Sequence, residues 1–174
     1  MKRIGLMSDT HGEVDPRIYK YFKDVDEIWH AGDVGDVRVI EKLEQFKPVR
    51  GVYGNIDDHE IRLMWPKEQF FEIEGMKVLM THIAGKPYKY KQEAYRLIEY
   101  HKPNIFVCGH SHILIVQYDK NIESLWLNPG ACGFKGFHQV KTLLRFTIDK
   151  GRAKDMEVIE MGPARKYIAE STEE

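Results

Sequence analysis

Three apolar runs in the first third of the chain constrain its fold most. RIGLMS (3–8), DEIWH (26–30) and PVRGVY (48–53) read as strands, and each breaks off into a polar loop: DTHGEVDP, AGDVGD and GNIDD. Between the first two, Asp15 is placed to cap a helix over about 16–24, with Pro16 at its first position. Between the second and third, residues 36–46 carry Val37, Ile40 and Leu43 at helical spacing. Alternation of strand, loop and helix predicts parallel βαβ units. In open sheets of that kind, ligands gather outside the carboxyl ends of the strands.

The pattern then changes. QFFEIEGMKVLMTH reads as two strands joined at Glu74-Gly75. A helix is expected near 88–101, with Ala94, Leu97 and Ile98 on one face. NIFVCGH and HILIVQYDKNIESLWL follow, the latter a hairpin around Lys120-Asn121. LLRFTIDKGRAKDMEVIEM repeats that form, alternating Leu144, Phe146 and Ile148 with Arg145, Thr147 and Asp149 before the turn at Lys150-Gly151. A polar tail from about 163 is expected to fray. No repeat or linker interrupts the 174 residues, so a single domain over 1–174 is expected, βαβ early and mostly hairpins late.

Composition narrows the function classes. The net charge is −1, so no basic excess marks a nucleic-acid surface. Cys108 and Cys132 are the two cysteines, too few for a disulfide framework, which points to a cytoplasmic location. The opening MKRIGLMSDTHG starts basic, but its apolar stretch is too short for a signal peptide. No run approaches the roughly 18 apolar residues of a membrane span.

The polar strand ends hold the chemistry. They bring Asp9 and His11, Asp33, Asn55, His82, and His110 with His112 toward one place. Four imidazoles, two carboxylates and one amide exceed what a single tetrahedral zinc takes. The set suits two divalent cations sharing a carboxylate. Mixed nitrogen and oxygen ligands favour Mn, Fe, Zn, Co or Ni over Ca or Mg. Each piece alone has a bland reading. Gly-Asp and Gly-Asn are common turns, His82 could be a satisfied core histidine, and His-x-His in a strand is compatible with a surface stripe. What separates the set from these readings is that every piece stands at a strand end. His30, just before the Asp33 loop, is a candidate to support the ligands from behind. His59, His101 and His138 carry no such context, and Cys108 reads as a packing residue.

In this order the motifs SDTHG, HAGD, GNID, THI, GHSH and NPGA, spanning residues 8 to 131, resemble the calcineurin-like metallophosphoesterases, in particular their small bacterial and archaeal phosphodiesterase branch. The resemblance implies an α/β fold, a four-layer α/β/β/α sandwich of two mixed sheets with the metal site at the strand carboxyl ends. It implies that Asp9, His11 and His112 hold one metal, that Asn55, His82 and His110 hold the other, and that Asp33 bridges them. Asn128, in the Asn-Pro-Gly turn, would support the site from outside. Asp57 or loop carbonyls would hold the far nitrogens of the histidines. Many relatives carry a histidine directly after Gly-Asn to protonate the leaving oxygen; here that position is Ile56, and His59 is the nearby substitute to consider.

The expected activity is therefore metal-dependent hydrolysis of a small phosphate diester, with Asp33, Asn55 and His82 orienting and bridging, and with manganese or nickel among the metals to test first. The rivals are a phosphomonoesterase, a nuclease, and a non-catalytic interaction module like the family's retromer subunit. A nuclease lacks its basic stripe and extra domains here, and a scaffold would be expected to have lost ligands. IAGKPYKYK (83–91) and GFKGFHQ (133–139) offer aromatics and lysines that would either meet substrate or remain solvated loops. The substrate and the existence of a homo-oligomer stay open.

Overall fold

The computed structural model describes residues 1–165. The first half runs β1 (Lys2–Met7), α1 (Arg17–Tyr21), β2 (Glu27–His30), α2 (Val37–Phe46), β3 (Val49–Gly51), α3 (His59–Met64), β4 (Glu68–Ile73) and β5 (Met76–Thr81). The second half runs β6 (Gly85–Lys86), β7 (Lys89–Tyr90), α4 (Gln92–His101), β8 (Ile105–Val107), β9 (Leu114–Asp119), β10 (Ser124–Pro129), β11 (Val140–Asp149) and β12 (Arg152–Pro163).

Two five-stranded mixed sheets result, in the orders β12-β11-β1-β2-β3 and β4-β5-β8-β10-β9. Each has three parallel strands, β1-β2-β3 in one and β5-β8-β10 in the other, flanked by antiparallel neighbours. Period-two alternation along the strands builds the layers. Ile4, Leu6 and Trp29 of the first sheet meet Val78, Met80 and Leu127 of the second. Met7 and Ile28 point the other way, onto Ile18, Ile40, Leu43 and Ile61 of α1, α2 and α3. On the far side, Leu79, Phe106 and Trp126 pack against Ala94 and Ile98 of α4. The fold is thus the four-layer α/β/β/α sandwich, and each fully buried aliphatic side chain stabilises it by about 1.5–3 kcal/mol. Gly5 sits where Phe22 packs flat on the first sheet; a Cβ there would lie 2.8 Å from the Phe22 ring.

The Glu74-Gly75 and Lys150-Gly151 turns form as expected, with positive φ at all four residues. Other expectations shift. The first helix is shorter than 16–24, and Pro16 is its capping residue; the Asp15 carboxylate accepts from the Arg17 N–H, 3.0 Å. Asp15 also accepts from the buried ammonium of Lys141 on β11, 2.7 Å, which ties the first loop to the sheet. The fourth helix starts at Gln92 because residues 85–90 form the small β6-β7 hairpin instead. The late half is built mostly of hairpins as expected, β4-β5, β6-β7, β9-β10 and β11-β12, with α4 added as a crossover between parallel β5 and β8. His110 and His112 leave the strand altogether, since β8 ends at Val107 and β9 begins at Leu114. At the carboxyl end, β12 ends at Pro163, where the polar tail was expected to begin. The rest of that tail lies outside the described residues. Among the described residues no helix is long and apolar enough to cross a membrane.

Candidate metal centre

The loops after β1, β2, β3, β5 and β8 converge at the carboxyl ends of both sheets. They bring Asp9, His11, Asp33, Asn55, His82, His110 and His112 together. Five of these seven adopt left-handed backbone conformations: Asp9 (φ 57°), His11 (51°), Asp33 (55°), His110 (68°) and His112 (59°). Each such residue costs on the order of 1 kcal/mol or more relative to ordinary backbone, and strain of this kind concentrates at functional sites. Two glycines allow the close approach. At Gly54 a Cβ would collide with the Asp33 carboxylate and backbone N–H, and at Gly109 it would strike Ser8 and Asp9.

The two carboxylates are oriented alike. Asp9 Oδ2 accepts from Ser8 Oγ (2.5 Å) and the His110 N–H (3.2 Å). That leaves Oδ1 facing His112 Nε2 at 3.1 Å, His11 Nε2 at 3.7 Å and His82 Nε2 at 3.9 Å. Asp33 Oδ1 accepts from the Ile56 N–H at 3.1 Å. Its Oδ2 faces His82 Nε2 at 3.2 Å and His11 Nε2 at 3.6 Å. Asn55 Oδ1 lies 2.9 Å from His110 Nδ1. Two triads, Asp9-His11-His112 and Asp33-His82-His110, each hold their ligand atoms within 4.8 Å of one another and could each bind a metal ion.

The hydrogen bonds behind the rings set which nitrogens face inward. His82 Nδ1 lies 2.7 Å from the Ala31 carbonyl, which can only accept, so Nδ1 carries the proton. In the neutral ring, Nε2 is then a bare lone pair aimed at a carboxylate oxygen. His138 Nε2 donates to the Gly133 carbonyl at 2.8 Å, which makes its Nδ1 an acceptor for the His112 Nδ1–H at 3.1 Å. His112 Nε2 is therefore also a lone pair facing Asp9. His11 Nε2 and His82 Nε2 are buried and have no hydrogen-bond partner among the described residues. Acceptors pressed against acceptors in a buried site require a proton or a cation between them. The donor set, oxygen with imidazole nitrogen, fits a divalent transition metal.

Electrostatics agree with that reading. Burial would raise the Asp9 carboxyl, but His11, His112, His82 and Ser8 outweigh it and hold it far below the usual range. Asp33 is also lowered: burial opposes the shift, and His82 and the Ile56 N–H outweigh it. Burial would lower His82, yet Asp33 and Asp9 raise it, so the carboxylates draw positive charge to this ring. His110 moves down, through burial and the neighbouring His82. Burial pushes the Cys108 thiol up to about 12, so it offers no thiolate.

The supporting residues differ in part from expectation. His30 is fully buried; Nδ1 accepts from the Gly32 N–H (3.1 Å) and Nε2 donates to Thr10 Oγ1 (3.0 Å), linking the first two site loops. Asn128 donates to Gly109 O and Ser111 Oγ, both at 3.1 Å, and ties the His110 loop to the Asn-Pro-Gly turn. Asp57 does not hold an imidazole. Its carboxylate accepts from the backbone N–H groups of Val34 (3.1 Å), Gly35 (2.8 Å) and Gly54 (2.8 Å), joining the Asp33 and Asn55 loops. Backbone donors at a tight loop crossing take it, while Ala31 and His138 serve the rings. His59 opens α3 and is exposed, and its side chain makes no hydrogen bond among the described residues. The missed residue is His138, whose only sequence signal was its place in GFKGFHQ.

A cavity of about 630 Å³ adjoins the centre through Asn55 and His82, and Tyr53, Arg62, Lys67 and Lys91 also line it. Of the residues singled out for substrate, Tyr88 and Tyr90 border a separate open depression. Phe137 is fully exposed, and Phe134 packs on the Lys141 ammonium.

Comparison with known proteins gives a consistent result. Residues 1–151 match the family described as the calcineurin-like phosphoesterase superfamily domain. A "Probable metallophosphoesterase" of Methanothermobacter thermautotrophicus is 31% identical over 134 residues, covering 74% of this chain and 76% of that protein. A solved structure described as a novel archaeal phosphodiesterase superposes with a TM-score of 0.70 at 25% identity, over 90% of this chain and 99% of that one. Zinc-complexed Vps29 from Entamoeba histolytica shares the fold, with a TM-score of 0.66 at 15% identity, over 91% and 98% of the two chains.

Proposed function

The chain belongs to the calcineurin-like phosphoesterase superfamily, and we propose that this metal-dependent phosphoesterase is a phosphodiesterase working through a dinuclear centre. The observation that carries the reading is the pair of triads, with buried imidazole lone pairs turned toward carboxylate oxygens. Asp9, His11 and His112 would hold one ion, Asn55, His82 and His110 would hold the other, and Asp33 would be shared between them. Ions held there would supply positive charge toward the phosphoryl oxygens and lower the pKa of a bound water.

The protein's own groups do the rest. Ser8 and the His110 N–H fix Asp9, and the Ile56 N–H fixes Asp33, so neither carboxylate must reorganise during reaction. Ala31 and His138 keep the His82 and His112 lone pairs inward. Asn55 is exposed at the mouth and can orient an ester oxygen from its amide. No acid occupies position 56, and the Ile56 side chain is 45% exposed at the rim. With no acid at that position, departure depends on a good leaving group, as in an activated diester. Relatedness to a protein described as an archaeal phosphodiesterase supports the same choice.

The test is hydrolysis of bis(p-nitrophenyl) phosphate and p-nitrophenyl phosphate by manganese- and nickel-loaded protein. The diester should be turned over with the higher kcat/KM. A clear preference for the monoester would replace this reading with a phosphomonoesterase, and no hydrolysis of either would favour an interaction module.

A further inference from the structure

The cavity beside the centre has a composition of its own. It lies between the Gly54-Asn55 loop, α3, the turn before β4, and the start of α4. Three cations line it, Arg62, Lys67 and Lys91, against one carboxylate, Glu93. Lys67 pairs with Glu93 at 2.6 Å, so that charge is internally balanced. Arg62 and Lys91 are not balanced. Arg62 is held in place: its Nε donates to the Asp57 carbonyl at 2.8 Å, and its guanidinium lies 4.7 Å from the centroid of the Tyr53 ring. Its terminal nitrogens have no protein acceptor among the described residues. Lys91 Nζ likewise makes no ion pair among them. Among the described residues no side chain caps the first turn of α4, whose residues line the same wall and add to the positive field.

An oriented guanidinium with free terminal nitrogens and an unpaired ammonium form a phosphate-binding combination. The cavity opens directly from Asn55 and His82, so one ligand can touch both places. We propose that this cavity is a subsite for a second phosphate, so that the preferred diester carries a further phosphate on one of its esterified alcohols, as in a phosphorylated nucleotide. This rests on the phosphodiesterase reading for its catalytic half, but binding of the second phosphate does not.

Calorimetry on metal-loaded protein tests it, with thymidine 3′,5′-bisphosphate and thymidine 5′-monophosphate as probes. Wild type should bind the bisphosphate about tenfold or more tightly than the monophosphate, the scale of one good charge-assisted contact. In the double variant Arg62→Gln, Lys91→Gln the ratio should fall toward one, with circular dichroism and melting confirming the fold. The single variants should each give intermediate ratios, which separates local charge loss from collapse of the cavity. Equal affinities in wild type would overturn the proposal, and so would a preference that survives in the double variant. A bisphosphate preference that depends on Arg62 and Lys91, together with no hydrolysis of bis(p-nitrophenyl) phosphate, would support the subsite while sinking the diesterase reading.

Discussion

The Nδ1 atoms of His112 and His138 lie 3.1 Å apart, and the Gly133 carbonyl decides which of them carries the proton. Because His138 must give its Nε2–H to that carbonyl, His112 must donate from Nδ1 and present Nε2 to the centre. His138 would thus act on an ion held by Asp9, His11 and His112 through the tautomer of its neighbour.

Removing this relay should weaken one ion. His138→Ala is expected to lower the affinity for a single metal by about 10–100-fold, the usual effect of losing a partner behind a ligating histidine. His138→Gln, which keeps an acceptor, should restore part of it. Competition against a chromophoric chelator measures both. Two ions weakened equally would show that the loop had simply collapsed.

Asp33 faces both halves of the centre: its Oδ2 lies 3.2 Å from His82 Nε2 and 3.6 Å from His11 Nε2. Asp33→Asn should therefore cost more activity at saturating metal than His11→Gln or His112→Gln, since it loosens two ions and removes a negative charge between them. Small and equal losses in all three variants would count against a shared carboxylate.

Position 56 holds isoleucine at the rim of the centre, a side chain that cannot protonate a leaving oxygen. With isoleucine there, kcat/KM should fall steeply as the leaving-group pKa rises. Ile56→His should flatten that slope and raise monoester turnover, by up to the roughly 10²–10⁴-fold typical of acid assistance. The series should include His59→Asn. If wild type shows a shallow slope that steepens in that variant, the exposed His59 is the acid after all.

His30 sets a pH dependence for the metal-free protein. Burial holds its pKa down from 6.5 to about 4. As pH falls through 6.5 the unfolded chain takes up a proton that the folded chain refuses, so stability drops until about pH 4. The loss from this residue is roughly 3 kcal/mol. The raised His82 acts in the opposite direction, so the residue-specific comparison is with His30→Gln, which keeps a donor and an acceptor. Urea unfolding of chelated protein between pH 7 and 4 should show a shallower decline in that variant. Parallel curves would remove His30 from the account.

The inward-facing residues were legible because tight, left-handed loop ends favour Gly, Asn, Asp and His, and Asp, Asn and His are also metal-binding types. Asp9, His11, Asp33, His110 and His112 satisfy both demands at once. The four-layer arrangement was legible only through resemblance, since periodicity does not say which strands pair; the parallel β5-β8 crossover was read as part of a hairpin-rich half. The six-residue α3 is too short to show a helical period. His138 and Arg62 were invisible for another reason. His138 matters through one ring nitrogen on a residue 26 positions away, and Arg62 through a wall assembled from separate elements. Asp57 was noticed but given the wrong partners, because backbone N–H groups of a distant loop leave no mark in a sequence.

Metal stoichiometry against activity tests the central claim most directly. Protein stripped by a strong chelator should lose hydrolysis of bis(p-nitrophenyl) phosphate, and Mn²⁺ added back in steps should restore it. The account predicts that calorimetry finds two ions bound per chain and that activity rises mainly with the second. Full activity in metal-free protein, or complete recovery at one ion per chain, would contradict it.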